Sequence, residues 1–141
     1  MKNEKTIIVD YYDGAYGPTL RIDVPSREML DWLKSLFADL AGGAHGQADL
    51  IHPDRVRATS AIARILLLRD ASVRPGQRTL HLTGTPEKIE IRWAGPPAYW
   101  SRCSALVDGI VAAGRAGHQY LTEEAVDDAL VELSFMEASG E

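Results

Sequence analysis

One cysteine, Cys103, is all the thiol chemistry this chain carries. A lone thiol cannot close an internal disulfide, so the fold must be held by its core, and a reducing compartment suits it. Long hydrophobic runs are missing as well. The start, Met1-Lys2-Asn3-Glu4-Lys5, is charged and leads straight into a short strand-like run, with no apolar stretch of signal-peptide or membrane-span length. The expectation is a cytoplasmic protein with no membrane association. Positive charge is in short supply, with 15 Lys and Arg against 20 Asp and Glu and a net charge of −5. Binding phosphates needs a positive field over the contact face, which argues against nucleic acid as a partner.

Recognisable catalytic and ligand motifs are absent too. His45, His52, His81 and His118 stand apart, none at a metal-ligand spacing, so neither a metal nor another cofactor is expected. Gly114-Arg115-Ala116-Gly117 is glycine-rich but follows a helical pattern and lacks the Lys-Ser/Thr of a phosphate loop. It reads as a helix stop. There is no Gly-x-Ser-x-Gly elbow, and no catalytic triad can be assembled from spacing. No internal repeat, low-complexity linker or domain boundary is visible, so residues 1–141 read as one domain.

What is present is an ordinary globular composition, 45% hydrophobic and 25% charged, long enough for one real core. Thr6 to Tyr12 is β-branched and aromatic, and the glycines that follow turn it into a second run in which Leu20, Ile22 and Val24 share a face. Ser26 then offers an N-cap, and Met29, Leu30, Leu33, Leu36, Phe37 and Leu40 recur at helical spacing before Gly42-Gly43. Residues 44–59 read mainly as loop. Ala61 to Arg69 reads as a strand buried on both faces, with a helix starting at Asp54 fitting almost as well, because periodicity cannot separate the two in a short apolar run.

Strands are expected at Thr79 to Thr83 and Lys88 to Trp93. A second helix after Pro96-Pro97 carries Tyr99, Trp100, Cys103, Leu106, Val107, Ile110 and Val111, and a closing strand is expected over Ala129 to Phe135. These signals predict an α+β fold: a mostly antiparallel sheet of about five to six strands with two main helices packed on one face. An edge strand, for example the one beginning at Thr6, would offer a route to a homodimer.

Charge is unevenly spread. Residues 51–102 hold nine Lys and Arg against four acids, whereas residues 103–141 hold eight acids against Arg115 alone. Strands from the two segments could pair and neutralise one another, or the acidic end could attract a basic partner. The acidic end includes Gly117-His118-Gln119-Tyr120-Leu121, read as a polar aromatic loop launching the last strand. The candidate partner-binding residues are Tyr12, Asp13 and Tyr16 around the first hairpin, His118, Gln119 and Tyr120 in the loop, and the acids Glu123, Glu124, Asp127 and Asp128. Tyrosine suits recognition because it buries a large rigid ring and keeps a polar tip. Strand alternation puts Tyr11 on the face of Ile7 and Val9 and leaves Tyr12 as the exposed ring.

Structural readings stand beside these. His118 could cap the preceding helix, Tyr120 could bury its ring, and Cys103, on an apolar stripe, could be a small hydrophobe. Another alternative is a small enzyme or ligand-binding domain with a cleft around His118, Tyr120 and Asp127.

The segments Trp100-Ser101-Arg102, Leu106-Val107-Asp108-Gly109-Ile110, Gly117-His118-Gln119-Tyr120-Leu121 and Asp127 to Glu137 resemble the C-terminal half of small bacterial proteins of the polymorphic-toxin immunity type. In such proteins the closing strand often runs into Gly-Glu and further aromatics, whereas here Ser134 is followed by Phe135-Met136-Glu137. The resemblance implies a cytoplasmic, non-catalytic α+β protein that covers the active site of a basic toxin.

Overall fold

The longer elements form where apolar residues alternate or recur at helical spacing. The computed structural model describes residues 6–14, 17–74, 76–122 and 126–135. In chain order the elements are β1 (Ile7–Gly14), β2 (Gly17–Val24), α1 (Arg27–Gly42), β3 (Gln47–Asp49), β4 (Val56–Ala58), β5 (Ile62–Arg69), β6 (Leu80–Thr85), β7 (Lys88–Gly95), α2 (Pro97–Ala113), β8 (Gly117–Tyr120) and β9 (Leu130–Phe135). The α+β class is borne out. The strands divide into two mixed sheets, ordered β4-β1-β2-β9-β8 and β3-β5-β7-β6.

The hairpins β1–β2 and β6–β7 are antiparallel, as are β3–β5 and β8–β9. The pairs β1–β4, β2–β9 and β5–β7 are parallel: helices lie in the chain between the partners of the first two pairs, whereas β5 and β7 are joined through the edge strand β6. The run at 61–69, open between helix and strand in the sequence, is β5. It lies between β3 and β7 but is not buried on both faces: Ile62, Ile65 and Leu67 are buried, whereas Leu66 and Leu68 on the other face are half-buried and Arg64 is exposed.

Ser26 caps α1 by accepting a hydrogen bond from the Met29 amide, and α2 starts at Pro97. Both helices end on a glycine in the left-handed region, Gly43 (φ 84°) and Gly114 (φ 67°), as the helix-stop reading of Gly114 requires. The helices run in opposite directions against one another: Lys34 Nζ lies 3.0 Å from Asp108, and Gly42 lies beside Pro97. Their buried stripes join the inner faces of both sheets in one continuous core.

The centre of that core is aromatic. Phe37 stacks on Trp100 with centroids 5.7 Å apart, and Trp93 meets Trp100 at 5.1 Å. Their polar atoms are satisfied: Trp93 Nε1 donates to Tyr99 Oη (2.8 Å), Tyr99 Oη donates to the Leu121 carbonyl (2.6 Å), and Trp100 Nε1 donates to the Leu68 carbonyl (2.9 Å).

An internal repeat, invisible in the sequence, organises this layout. Each half is a hairpin, a helix, a short strand and a final strand: β1-β2-α1-β3-β5 and β6-β7-α2-β8-β9. The hairpins have the same register, Gly14↔Gly17 and Tyr11↔Leu20 matching Thr85↔Lys88 and Leu82↔Ile91. Each buried position of α2 has a buried counterpart on α1, Leu30 with Trp100, Leu33 with Cys103, Phe37 with Val107 and Leu40 with Ile110, while Met29 answers to the half-buried Tyr99.

Each final strand is exchanged into the other half's sheet, again in matching register. Ile65↔Ile91 and Leu67↔Trp93 correspond to Val131↔Leu20 and Leu133↔Ile22. The Leu50 amide bonds to the Ile65 carbonyl as the Leu121 amide bonds to that of Val131, both at 2.9 Å.

The halves differ at the outer edges of the hairpins. β4 pairs with Ile7 to Val9 of β1, so the start of this strand is not an edge. At β6 the acids 127 and 128 take the place of a strand. Asp127 Oδ1 accepts from the Thr79 amide (2.6 Å), the Thr79 hydroxyl (2.9 Å) and the Leu80 amide (2.9 Å), while Asp128 Oδ2 accepts from the Leu82 amide (2.9 Å).

Candidate functional site

Alternation along β1, β2, β8 and β9 decides what the first sheet shows to solvent. Ile7, Val9, Leu20, Ile22, Val24, Val131, Leu133 and Phe135 point inward and are buried. The opposite face holds Ile8, Asp10 and Tyr12 from β1, Arg21 and Asp23 from β2, Glu132 from β9, and His118 and Tyr120 from β8, placed by the registers Asp10↔Arg21↔Glu132↔Tyr120 and Ile8↔Asp23↔Ser134↔His118. Among the described residues, the large hydrophobic side chains that stay exposed are Ile8 (37%), Tyr12 (36%) and Tyr120 (40%). All three lie on this one face.

Glu132 is the junction of the site. It stands directly across from Tyr120 in the β8–β9 pair, and its Oε1 accepts a long hydrogen bond from Tyr12 Oη (3.4 Å). Arg21 Nε donates to Asp23 Oδ1 (2.8 Å), and Arg21 Nη2 donates to Ser134 Oγ (3.2 Å), which braces the middle of the face. His118 and Tyr120 meet edge to face with centroids 5.8 Å apart. Partial burial raises the Tyr12 pKa, the Glu132 charge raises it further, and Arg21 partly offsets both, so Tyr12 keeps its proton at neutral pH. Asp10, Asp23 and Glu132 stand against Arg21 and Arg57, the latter placed on this face by its register with Ile8.

The expected residues fare differently. Tyr12, His118 and Tyr120 converge on the face, with Tyr12 as the exposed ring of its pair and Tyr11 turned toward the Ile7 and Val9 side. Asp13 is exposed at the hairpin end on the opposite parity, and Gln119 points to the inner side of the edge strand β8. Tyr16, Glu123 and Glu124 lie outside the described residues. Asp127 and Asp128 are spent on the β6 edge, and Asp128 also pairs with Arg78 at 3.2 Å. Basic middle and acidic end therefore do meet, through two side chains and not through paired strands.

The segment at His118 is a strand, not a loop. It is short and polar, so its sequence shows no apolar alternation, and β9 supplies its ladder partners. Arg21 and Glu132, which hold the site together, were missed. They are the polar members of two alternating strands, a pattern that marks a solvent-facing position and nothing more specific.

The pocket that Asp127 lines contains neither His118 nor Tyr120. Cys103 is buried on α2, and desolvation pushes its thiol up to about 12. No cluster of His, Cys, Asp or Glu able to hold a metal ion occurs among the described residues. No helix among them is long and apolar enough to cross a membrane. Comparison of the chain with protein-family models, with curated proteins and with solved structures gives no match.

Proposed function

We propose that this protein is a non-catalytic binding module that uses the outer face of its first sheet to cover a basic protein partner, in the manner of a bacterial immunity protein acting in the cytoplasm. The carrying observation is the gathering of Ile8, Tyr12 and Tyr120 on that single face, with Glu132 between the two phenols. Aromatic rings that share one face with polar and charged side chains between them match the composition of recognition surfaces. The chain's net charge of −5 and the carboxylates of Asp10, Asp23 and Glu132 favour a cationic partner and speed its approach. The tyrosines supply residence time, because buried rings are the side chains whose truncation most speeds dissociation.

The test is co-expression with the product of the adjacent gene. The wild-type chain is expected to form a stable complex and relieve any growth defect that product causes. Tyr12→Ala combined with Tyr120→Ala should weaken the complex by about a thousandfold, two anchor residues at roughly 2 kcal/mol each, with an unchanged circular-dichroism spectrum. No complex and no relief of growth would refute the immunity reading. A complex indifferent to the double substitution would move the interface off this face.

A further inference from the structure

The two halves repeat one architecture, yet one of them is filled where the other is hollow. In the first half, Trp32 on α1 meets the His52 ring edge-on at 6.0 Å, and Arg55 sits over the indole at 5.8 Å. His52 and Arg55 belong to residues 50–61, which link β3 to β5 and include β4. The second half replaces that link with the shorter residues 121–129. It also places Arg102 at the α2 position corresponding to Trp32, by the same offset that relates Leu33 to Cys103.

A pocket of about 270 Å³ results, bounded by the β5–β6 connection, the start of α2 and the segment after β8. Val73, Pro96, Leu121 and Val126 give it an apolar wall. The polar atoms of that wall are already occupied. Tyr99 Oη is held between Trp93 and Leu121, Thr122 Oγ1 donates to the Ala129 carbonyl and accepts from the Val131 amide, and Thr79 Oγ1 donates to Asp127. Arg74 and Arg102 also line the pocket, and neither guanidinium has an ion-pair partner among the described residues.

We propose that this pocket binds a small carboxylic acid with a compact apolar body, the body against the Leu121 and Val126 wall and the carboxylate between Arg74 and Arg102. Arg74 and Arg102 are the cationic side chains of this lining, and guanidiniums recognise a planar carboxylate through paired donors. The volume lies just below the range of drug-sized sites, which suits a ligand of one ring or one branched chain. None of Ile8, Tyr12, His118 and Tyr120 lines the pocket, so this site stands or falls separately from the tyrosine face.

The probe is benzoate, with benzamide as a neutral molecule of nearly the same shape, titrated into the full-length protein while backbone amide resonances are followed by NMR. Benzoate is expected to shift the Arg102, Leu121 and Thr122 resonances saturably, and benzamide to bind about tenfold more weakly or worse. Arg102→Ala and Arg74→Ala should each lower benzoate affinity about tenfold while leaving benzamide binding unchanged. Both arginines are exposed, so the variants should keep the wild-type spectrum outside the pocket. The proposal is overturned if benzoate gives no saturable shift at these residues, if benzamide binds equally well, or if the doubly substituted protein retains wild-type affinity.

Discussion

Replacing Asp127 with alanine should destabilise the protein more than any other surface-adjacent acid. Its Oδ1 accepts from the amides of Thr79 and Leu80, and these residues are only 8% and 0% exposed. Without the carboxylate neither N–H can turn to water, and a buried unsatisfied donor costs roughly 1–3 kcal/mol. The Thr79 hydroxyl can rotate and counts for less. Two stranded amides give a loss of about 2–6 kcal/mol, a large part of the roughly 5–15 kcal/mol that holds a domain together. For a chain of this size that lowers Tm by about 10 °C.

Asp127→Asn keeps an acceptor at the same place and gives up only the charge, so it should cost about 1–2 kcal/mol. Urea denaturation would show the midpoint falling in the order wild type, Asn, Ala at constant m. Hydrogen exchange would show the Thr79 and Leu80 amides losing protection first. If the alanine variant lies within about 0.5 kcal/mol of wild type and those amides stay protected, the carboxylate is not what closes this edge.

Tyr99→Phe removes the hydroxyl that links Trp93 Nε1 to the Leu121 carbonyl and should cost about 2–4 kcal/mol in urea titrations, since both partners are then left dry. Gly84→Ala should be far worse than Gly17→Ala: both glycines have positive φ, but a Cβ on Gly84 would come within 2.3 Å of the Lys88 carbonyl oxygen, whereas Gly17 has open space around it. Thermal melts should show about 1 kcal/mol of loss at Gly17 and several times that at Gly84. Burial raises the Cys103 thiol from 9.0 to about 12, so the folded state holds this proton more tightly than the unfolded chain does. Stability from this group is therefore intact below 9.0 and declines as pH rises toward 12, by about 4 kcal/mol in all, with buried Tyr99, also raised, adding to the decline. Urea midpoints measured between about pH 8 and about pH 10.5 should fall, and Cys103→Ala should flatten that fall.

Both helices were legible because Met29 to Leu40 and Trp100 to Ile110 repeat at a spacing that only a helix can bury on one side. The hairpins were legible for the matching reason with a period of two. What stayed hidden depends on distant partners. β3, β4 and β8 are three or four residues long, too short for any period, and exist because β5, β1 and β9 supply their hydrogen bonds. The repeat was hidden because its halves share shape and register, not residue identity. Leu30 answers to Trp100 and Phe37 to Val107, so only apolarity is common to the paired positions. Within the site, Tyr12, His118 and Tyr120 were visible as unusual side chains, but their meeting on one face required the parallel pairing of β2 with β9, and no local pattern encodes it.

The exchanged final strands have a consequence for how the chain is made. β9 lies between β2 and β8, so the first sheet stays split until the last described strand has left the ribosome. Until then β2, synthesised well before β9, waits with an unsatisfied backbone edge and Leu20 and Ile22 uncovered on one flank. Contacts so far apart in sequence carry a high loop-closure cost and slow folding. The nascent protein thus passes through a long window in which β2 can pair with a foreign strand, and dependence on chaperones during synthesis should exceed that of a helical protein of equal length.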